Sequence, residues 1–85
     1  MTFSLAPHVS TTETETGMVL LDERSGRYWQ MNETGALVLR NLLEGGTPES
    51  AVIALRARFP TVTDDLGEDV AMLVAALRGA GVVTP

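Results

Sequence analysis

The order of structural patterns along the chain limits its fold more than any other feature: three segments typical of β-strands come first, and three typical of α-helices follow. All six lie within 85 residues, a length that makes one domain, residues 1–85. A chain this short buries roughly 60% of its unfolded surface, so its elements must share a thin core. The sequence therefore predicts a single α+β domain.

Apolar runs and turn residues mark the strands in the first third of the chain. Residues 3–12 form an extended segment, and the polar run at 10–16 is expected to be a loop or a frayed edge strand. The apolar run at 18–21 has the length of a strand. A turn at 22–26 separates it from an aromatic-rich strand at 27–31, and so short a link predicts an antiparallel hairpin.

Capping residues mark the first two helices. The side chain of Asn32 can accept free N–H groups of a first turn, so a helix is predicted at about 33–44, ended by the glycine pair that follows. Thr47, with proline after it, starts a second helix whose apolar stripe ends with Phe59, and Pro60 ends that helix. Two consecutive helices are therefore expected after the strands.

A third helix is predicted between Thr63, as its cap, and Gly81, as its end. Its apolar positions are spaced four, three and four residues apart: Leu66, Val70, Leu73 and Leu77. Because the links between the helices are about three residues long, the helices must cross and pack. Helices joined in this way beside a strand hairpin form a winged helix-turn-helix, here a three-stranded antiparallel sheet followed by three helices.

The charge of the chain disfavours nucleic acid as a partner. The net charge is −5, the pI is about 4.6, and the basic residues are six scattered arginines. Affinity for DNA or RNA depends on neutralising phosphates with lysine and arginine, and a winged-helix DNA reader needs such residues in the first half of its third helix. This helix begins with acids instead, so a basic peptide or protein surface is the better expectation.

Reactive side chains are scarce, and we expect neither catalysis nor a metal or cofactor. The absence of cysteine excludes disulfides and thiolate metal sites. His8 is the only histidine and is interpreted as a surface or edge residue. The first residues do not read as a signal peptide, and no apolar run approaches the length of a membrane span. We therefore expect a cytoplasmic protein that does not act on membranes.

Four acids fall within six residues at the start of the third helix: Asp64, Asp65, Glu68 and Asp69. One interpretation is that the first two complement the helix dipole and the others form a solvated face. The other is that the acids attract a cationic partner. Asp65 and Asp69 share one face of the helix and repel each other, which the fold alone does not require.

The single tyrosine and the single tryptophan are adjacent in the strand at 27–31. Neighbouring strand residues point to opposite faces. If Met31 belongs to the core, Trp29 lies on the core side and Tyr28 faces outward. Trp29 then either covers a thin core or lines a groove beside the third helix.

Two stretches of the sequence resemble the sequences of PqqD-like proteins. The first is the apolar strand Gly17–Asp22, followed by Gly26–Gly35, with its aromatic strand, Asn32 and the Glu-Thr that opens a helix; Met31 stands where leucine is usual. The second is the Asp-Val pair at 69–70 with the later leucines and the closing Gly-Val at 81–82. The similarity covers nearly the whole chain.

The resemblance implies a non-catalytic recognition element for ribosomally made, post-translationally modified peptides. Family members are winged-helix modules that bind the leader segment of a precursor as an added strand, against the third helix, and pass it to processing enzymes. Strand addition gives affinity through main-chain hydrogen bonds and specificity through side-chain pockets. A chain of this size resembles the stand-alone leader-binding subunit of lasso-peptide systems, whose leader peptidase, and possibly a cyclase, are separate partners.

The resemblance also indicates where the peptide would bind. The expected positions are, on the edge strand, Arg27, Tyr28, Trp29, Gln30 and Met31, and, on the third helix, Asp65, Asp69, Met72, Leu73 and Ala76. A peptide chaperone in pyrroloquinoline-quinone biosynthesis, a winged-helix DNA-binding regulator and a purely structural interaction subunit remain open as alternatives. We expect a monomer or a weak dimer.

Overall fold

The computed structural model of the protein describes residues 3–61 and 65–84. Its elements follow the predicted order, with a short additional strand near each end of the chain. They are β1 (Ser4–Leu5), β2 (Val9–Thr14), β3 (Gly17–Asp22), β4 (Tyr28–Asn32), α1 (Glu33–Leu43), α2 (Pro48–Arg58), α3 (Leu66–Gly79) and β5 (Val83–Thr84).

The main sheet is antiparallel, with the strand order β2-β3-β4. Leu20, at the centre of β3, pairs with Thr11 on one side and with Trp29 on the other, and it is fully buried. This sheet and the three helices after it confirm the predicted α+β fold. The polar run at 10–16 supplies most of β2, a full edge strand, because an edge strand needs main-chain pairing more than apolar side chains and its threonines favour extended backbone.

A second, two-stranded ribbon joins the ends of the described chain. Ser4 pairs with Thr84 and Leu5 with Val83, and the hydroxyls of Ser4 and Thr84 are 2.6 Å apart. No pattern in the sequence predicts this ribbon. Two-residue strands carry no periodicity, and their partners lie at opposite ends of the sequence.

Local capping chemistry forms the first two helices as predicted. The Asn32 side chain accepts a hydrogen bond from the N–H of Gly35 at the start of α1. Thr47 and Ser50 form a reciprocal capping box at the start of α2. Gly45, with φ 94°, occupies the left-handed region between the two helices, where glycine is the least strained residue.

The start of α3 differs in part from the prediction. Asp65 caps this helix by accepting a hydrogen bond from the N–H of Glu68. The predicted cap Thr63, and Asp64 beside it, lie outside the described residues. At the other end Ala80 is the C-cap, where Gly81 was predicted, and Gly81 follows it with φ 76°, the left-handed conformation of a glycine that stops a helix.

The core consists of two clusters on either side of α1. One lies between the sheet, α1 and the terminal ribbon, and includes Leu20, Leu39, Leu77 and Val82. The other lies among the three helices and includes Val38, Leu42, Leu55 and Val70. Phe3 and Leu73 pack against both clusters, so α3 is attached to the sheet side and to the helix side of the molecule.

Candidate functional site

Strand β4 is an edge strand, with β3 on one side and no further strand beyond it among residues 3–61 and 65–84. The N–H of Asp22 donates to the carbonyl of Arg27, which identifies this pair as hydrogen-bonded. Hydrogen-bonded pairs recur at every second residue of an antiparallel ladder. The main-chain groups of Trp29 and Met31 therefore face β3, whereas those of Tyr28 and Gln30 point to the open edge.

The side chains of β4 alternate between the two faces of the sheet. Trp29 and Met31 lie half-buried against the core, on the inner face that the helices cover. Tyr28 is 64% exposed on the outer face, and Gln30 is exposed beside it. This confirms the predicted orientation of Trp29 and Tyr28. The Arg27 guanidinium lies 5.3 Å from the centre of the Trp29 ring, close enough for a cation–π contact.

Helix α3 directs its apolar stripe to the core and leaves the flank beside that stripe exposed. Leu66, Val70 and Leu77 are buried as predicted, and Leu73 is half-buried. The flank beside Leu73 carries four exposed positions, spaced four, three and four residues apart: Asp65, Asp69, Met72 and Ala76. One groove is lined both by Asn32, the last residue of β4, and by Asp69 and Leu73 of α3.

An apolar groove of about 420 Å³ opens where β4 ends and α1 begins. Helices α2 and α3 form its other walls. Its lining is Asn32, Thr34, Gly35, Val38, Leu55, Phe59, Leu66, Asp69, Val70 and Leu73. The groove brings together two of the predicted site residues, Asp69 and Leu73, and leaves the remaining eight outside its lining.

Phe59 is the groove residue at the end of α2. As expected of the apolar stripe of the second helix, it packs against the cluster among the helices, but it is the C-cap of α2, and its backbone, with φ −128° and ψ 70°, is no longer helical. The Pro60 after it excludes helical backbone at this position, so the proline was a signal that could have identified the change of direction. Its ring is free to line the groove, at 5.2 Å from the guanidinium of Arg58.

An ion pair braces the same wall. The Arg58 guanidinium donates to the carboxylate of Glu33 at 2.8 Å, which joins the end of α2 to the start of α1. Both side chains are more than half exposed, so the pair itself stabilises the fold little, by about 0–1 kcal/mol. Its position nevertheless holds Arg58 over the Phe59 ring.

A second depression, of about 410 Å³, lies at the other face of β4. Four of its lining positions belong to the outer face of the sheet: Thr14, Val19, Gln30 and Asn32. Thr16, from the turn between β2 and β3, completes one rim, and Met18 and Met31 contribute from the strands. No local pattern in the sequence predicts this depression, because its lining depends on the register of three strands.

The acidic residues of α3 divide into two roles. The Asp65 carboxylate caps the helix, which agrees with the first of the two interpretations. Asp69 is exposed and lines the groove, so it presents a negative charge at the rim. Arg24 and Arg27 are exposed near the start of β4, so the charge changes sign between the two ends of this strand.

No metal centre or membrane span is evident in the part of the chain that the structure describes. Among these residues, no three side chains of the types His, Cys, Asp and Glu cluster in a way that would hold a metal ion. Likewise, none of the helices at residues 33–79 is long and apolar enough to cross a membrane.

The three-stranded sheet, the three helices after it and the open edge beside a groove define a winged-helix module. The chain belongs to the PqqD family, because the model of that family, described as coenzyme PQQ synthesis protein D, matches residues 17–83. No curated protein sequence matched the chain.

Two solved structures are similar to this protein. A lasso peptide synthetase B1, complexed with the leader peptide, is 40% identical, with 100% of both chains covered and a TM-score of 0.88. TbiB1, in complex with the TbiA(beta) leader peptide, is 22% identical, covers 94% of this chain and 93% of its own, and has a TM-score of 0.81. The second shows a shared fold.

Proposed function

We propose that this protein binds the leader segment of a ribosomally made precursor peptide, as an added strand on β4, and presents it to a separate leader peptidase and cyclase of the lasso-peptide type. The observation that carries the proposal is the open edge of β4, where the main-chain groups of Tyr28 and Gln30 point outward and whose last residue, Asn32, lines a groove with α3. The 40%-identical synthetase B1, which is complexed with a leader peptide, supports it.

The main chain of the peptide supplies the affinity. An extended peptide beside β4 would exchange hydrogen bonds with Tyr28 and Gln30, which otherwise leave donors and acceptors at an exposed edge. Such edges are usually guarded by charged side chains, proline or bulges. The five residues of β4 carry no charge, so this edge is open to a partner.

Side chains of the peptide that point to the inner face would meet α3. Alternate residues of a strand are about 6.8 Å apart, slightly more than one helical turn of α3. Successive inward side chains would therefore meet successive turns of the exposed flank, at Ala76, Met72 and Asp69. Where β4 ends at Asn32, the groove offers an apolar side chain a place against Phe59 and Leu73.

The small set of reactive groups agrees with a binding role. The protein would hold the leader while other chains carry out peptide cleavage and ring closure. A peptide chaperone in pyrroloquinoline-quinone biosynthesis is the second candidate, favoured by the description of the matching family. A DNA-binding role has less support, because the exposed flank of α3 carries Asp65 and Asp69 where a reader of DNA needs cations.

The edge hypothesis is tested with a matched pair of proline variants, Gln30→Pro and Thr11→Pro. Both positions lie on edge strands of one sheet with their N–H groups directed outward, Gln30 at the β4 edge and Thr11 at the β2 edge. Each change removes one outward donor and no ladder bond. We expect Gln30→Pro to weaken peptide binding by about tenfold or more and Thr11→Pro to leave it unchanged.

Binding is followed by the fluorescence of Trp29, the only tryptophan, and by calorimetry. The probes are the leader peptides of the two similar structures and peptides selected by this protein from a random display library. Circular dichroism checks that both variants are folded. Equal affinities of the two folded variants would exclude addition at β4, and a wild-type protein that binds neither leader and selects no peptide would contradict leader recognition itself.

A further inference from the structure

Two exposed hydrophobic side chains are neighbours on the outer face of the main sheet. Among the described residues, four large hydrophobic side chains are exposed: Leu21, Tyr28, Ile53 and Met72. Ile53 lies on α2, and Met72 lies on the exposed flank of α3. Leu21 and Tyr28 are register partners on the outer face, which the helices do not cover.

The outer face is also uncharged at every strand position that the register assigns to it. These positions are Ser10, Thr12, Thr14, Gly17, Val19, Leu21, Tyr28, Gln30 and Asn32. One fifth of the residues of the chain are charged, so nine uncharged positions on one face set it apart from the rest of the surface. The second depression lies within this face, beside Gln30.

Strand addition has a geometric consequence for this face. A strand paired with β4 directs every second side chain to the outer side, at about 4.8 Å from the backbone of β4. Cross-strand neighbours on one face of a sheet contact each other. Outward side chains of the peptide would therefore lie beside Tyr28 and Gln30, which are themselves two residues apart.

We infer that the bound peptide is selected on both faces of the sheet, and that Tyr28 and Gln30 determine the selection on the outer face. This inference rests on the proposed function. Beside Tyr28 the peptide carries an aromatic or β-branched side chain, which covers the Tyr28 ring and extends the apolar strip that begins at Leu21.

Two residues away, beside Gln30, the peptide carries an uncharged side chain that forms hydrogen bonds. The Gln30 amide both donates and accepts hydrogen bonds, and it is exposed on β4 next to the open edge. Serine, threonine, asparagine or glutamine beside it can accept from the Gln30 amide group and donate to its carbonyl oxygen. The resulting pattern in the peptide is an apolar residue and a polar residue at i and i+2, interleaved with the residues that α3 contacts.

The test compares the peptides selected from one random display library by four proteins: the wild type, Tyr28→Thr, Gln30→Val and Met72→Ala. Tyr28→Thr should remove the apolar preference at one peptide position, and Gln30→Val should remove the polar preference two positions away. Met72→Ala is the inner-face control. It should change the preference only at the alternate peptide positions, whose side chains point to the inner face. For the best wild-type peptide, Tyr28→Thr should weaken binding by up to about fivefold and Tyr28→Phe by less.

The outcomes separate this inference from the proposed function. Selected sequences that are the same for wild type, Tyr28→Thr and Gln30→Val, with Met72→Ala altered, would overturn selection on the outer face and leave strand addition standing. Selection on the outer face would also be overturned if all three variants changed the preference at the same set of alternate peptide positions. If the wild type selects no peptide, the proposed function fails and the inference fails with it.

Discussion

Phe59 shows at the residue scale how a break in regular structure shapes the candidate site. Had the helix continued to Phe59, the ring would have followed the apolar stripe of α2. Pro60 instead disfavours helical backbone at Phe59, and the ring, beside Arg58, lines the groove while it packs against the cluster among the helices. The periodicity of the sequence predicted the apolar contact of Phe59, and the proline after it explains why the backbone leaves the helix there.

Gly17 is the residue whose side chain matters most by being absent. A Cβ atom at this position would collide with the carbonyl of Met31, on the strand that forms the candidate edge. Main-chain atoms of a paired strand cannot yield as a flexible side chain can. Glycine is thus required where β3 begins, because only glycine lets β4 approach β3 this closely.

Gly17→Ala should therefore destabilise the protein by about 1–3 kcal/mol, as overpacking in a core does. The control is Gly79→Ala in the last turn of α3, where a Cβ would meet nothing within 4 Å. This control should stabilise the helix by up to about 1 kcal/mol, because alanine is the better helix former. Urea unfolding measures both. If the two variants have equal stability, the collision with Met31 is relieved at no cost.

At the scale of elements, the turn between β3 and β4 is organised by one carboxylate. Burial alone would raise the pKa of Asp22, but hydrogen bonds from the N–H groups of Arg24 and Ser25, with smaller help from the Ser25 hydroxyl and from His8, outweigh it and lower the pKa. A carboxyl group with a lowered folded pKa stabilises the fold above its unfolded pKa. This contribution disappears as the pH falls through the folded value.

Asp22→Asn should consequently lower the melting temperature at pH 7 and matter less in acid. The difference between wild type and variant should shrink as the pH falls below about 4, the ordinary range of an aspartate. Thermal unfolding followed by circular dichroism at a series of pH values measures this. A difference that stays constant from neutral to acidic pH would show that the charge of Asp22 does not support the turn.

The elements differ in how far sequence alone could predict them. Asn32, Thr47 and Gly81 act on neighbours within four residues, so their roles were predictable and the structure confirms them. The outward direction of Tyr28 followed from strand alternation. The groove and the outer depression were not predictable, since each combines residues from several elements whose register no local pattern specifies. Membership of the PqqD family was predictable because its motifs are spaced along nearly the whole chain.

At the scale of the whole molecule, the excess of negative charge favours a cationic partner. The net charge is −5, and Asp69 places one acid at the rim of the groove. Long-range attraction of this kind accelerates association and weakens with salt, whereas an exposed pair adds only about 0–1 kcal/mol to affinity. The charge should therefore affect the rate of association with the peptide more than the affinity of the complex.

Asp69→Asn should weaken binding of a cationic leader by up to about fivefold and reduce the salt dependence of its affinity. Glu49→Gln, in the first turn of α2 and outside the groove lining, removes the same charge elsewhere and is the control. Affinities at low and high salt are compared for the two variants. Equal salt dependence would mean that Asp69 acts only through the total charge, and that its place at the groove has no part in binding.

The ribbon of β1 and β5 also has a consequence for the topology of the molecule. Ser4 and Thr84 are direct neighbours, so the described chain is nearly a ring with one gap. In a ring, no element is first or last by necessity. The order in which strands and helices are synthesised is then separable from the arrangement that they reach. The same edge and groove belong to every linear chain obtained by closing that gap and opening an exposed loop elsewhere, such as the one at Gly45.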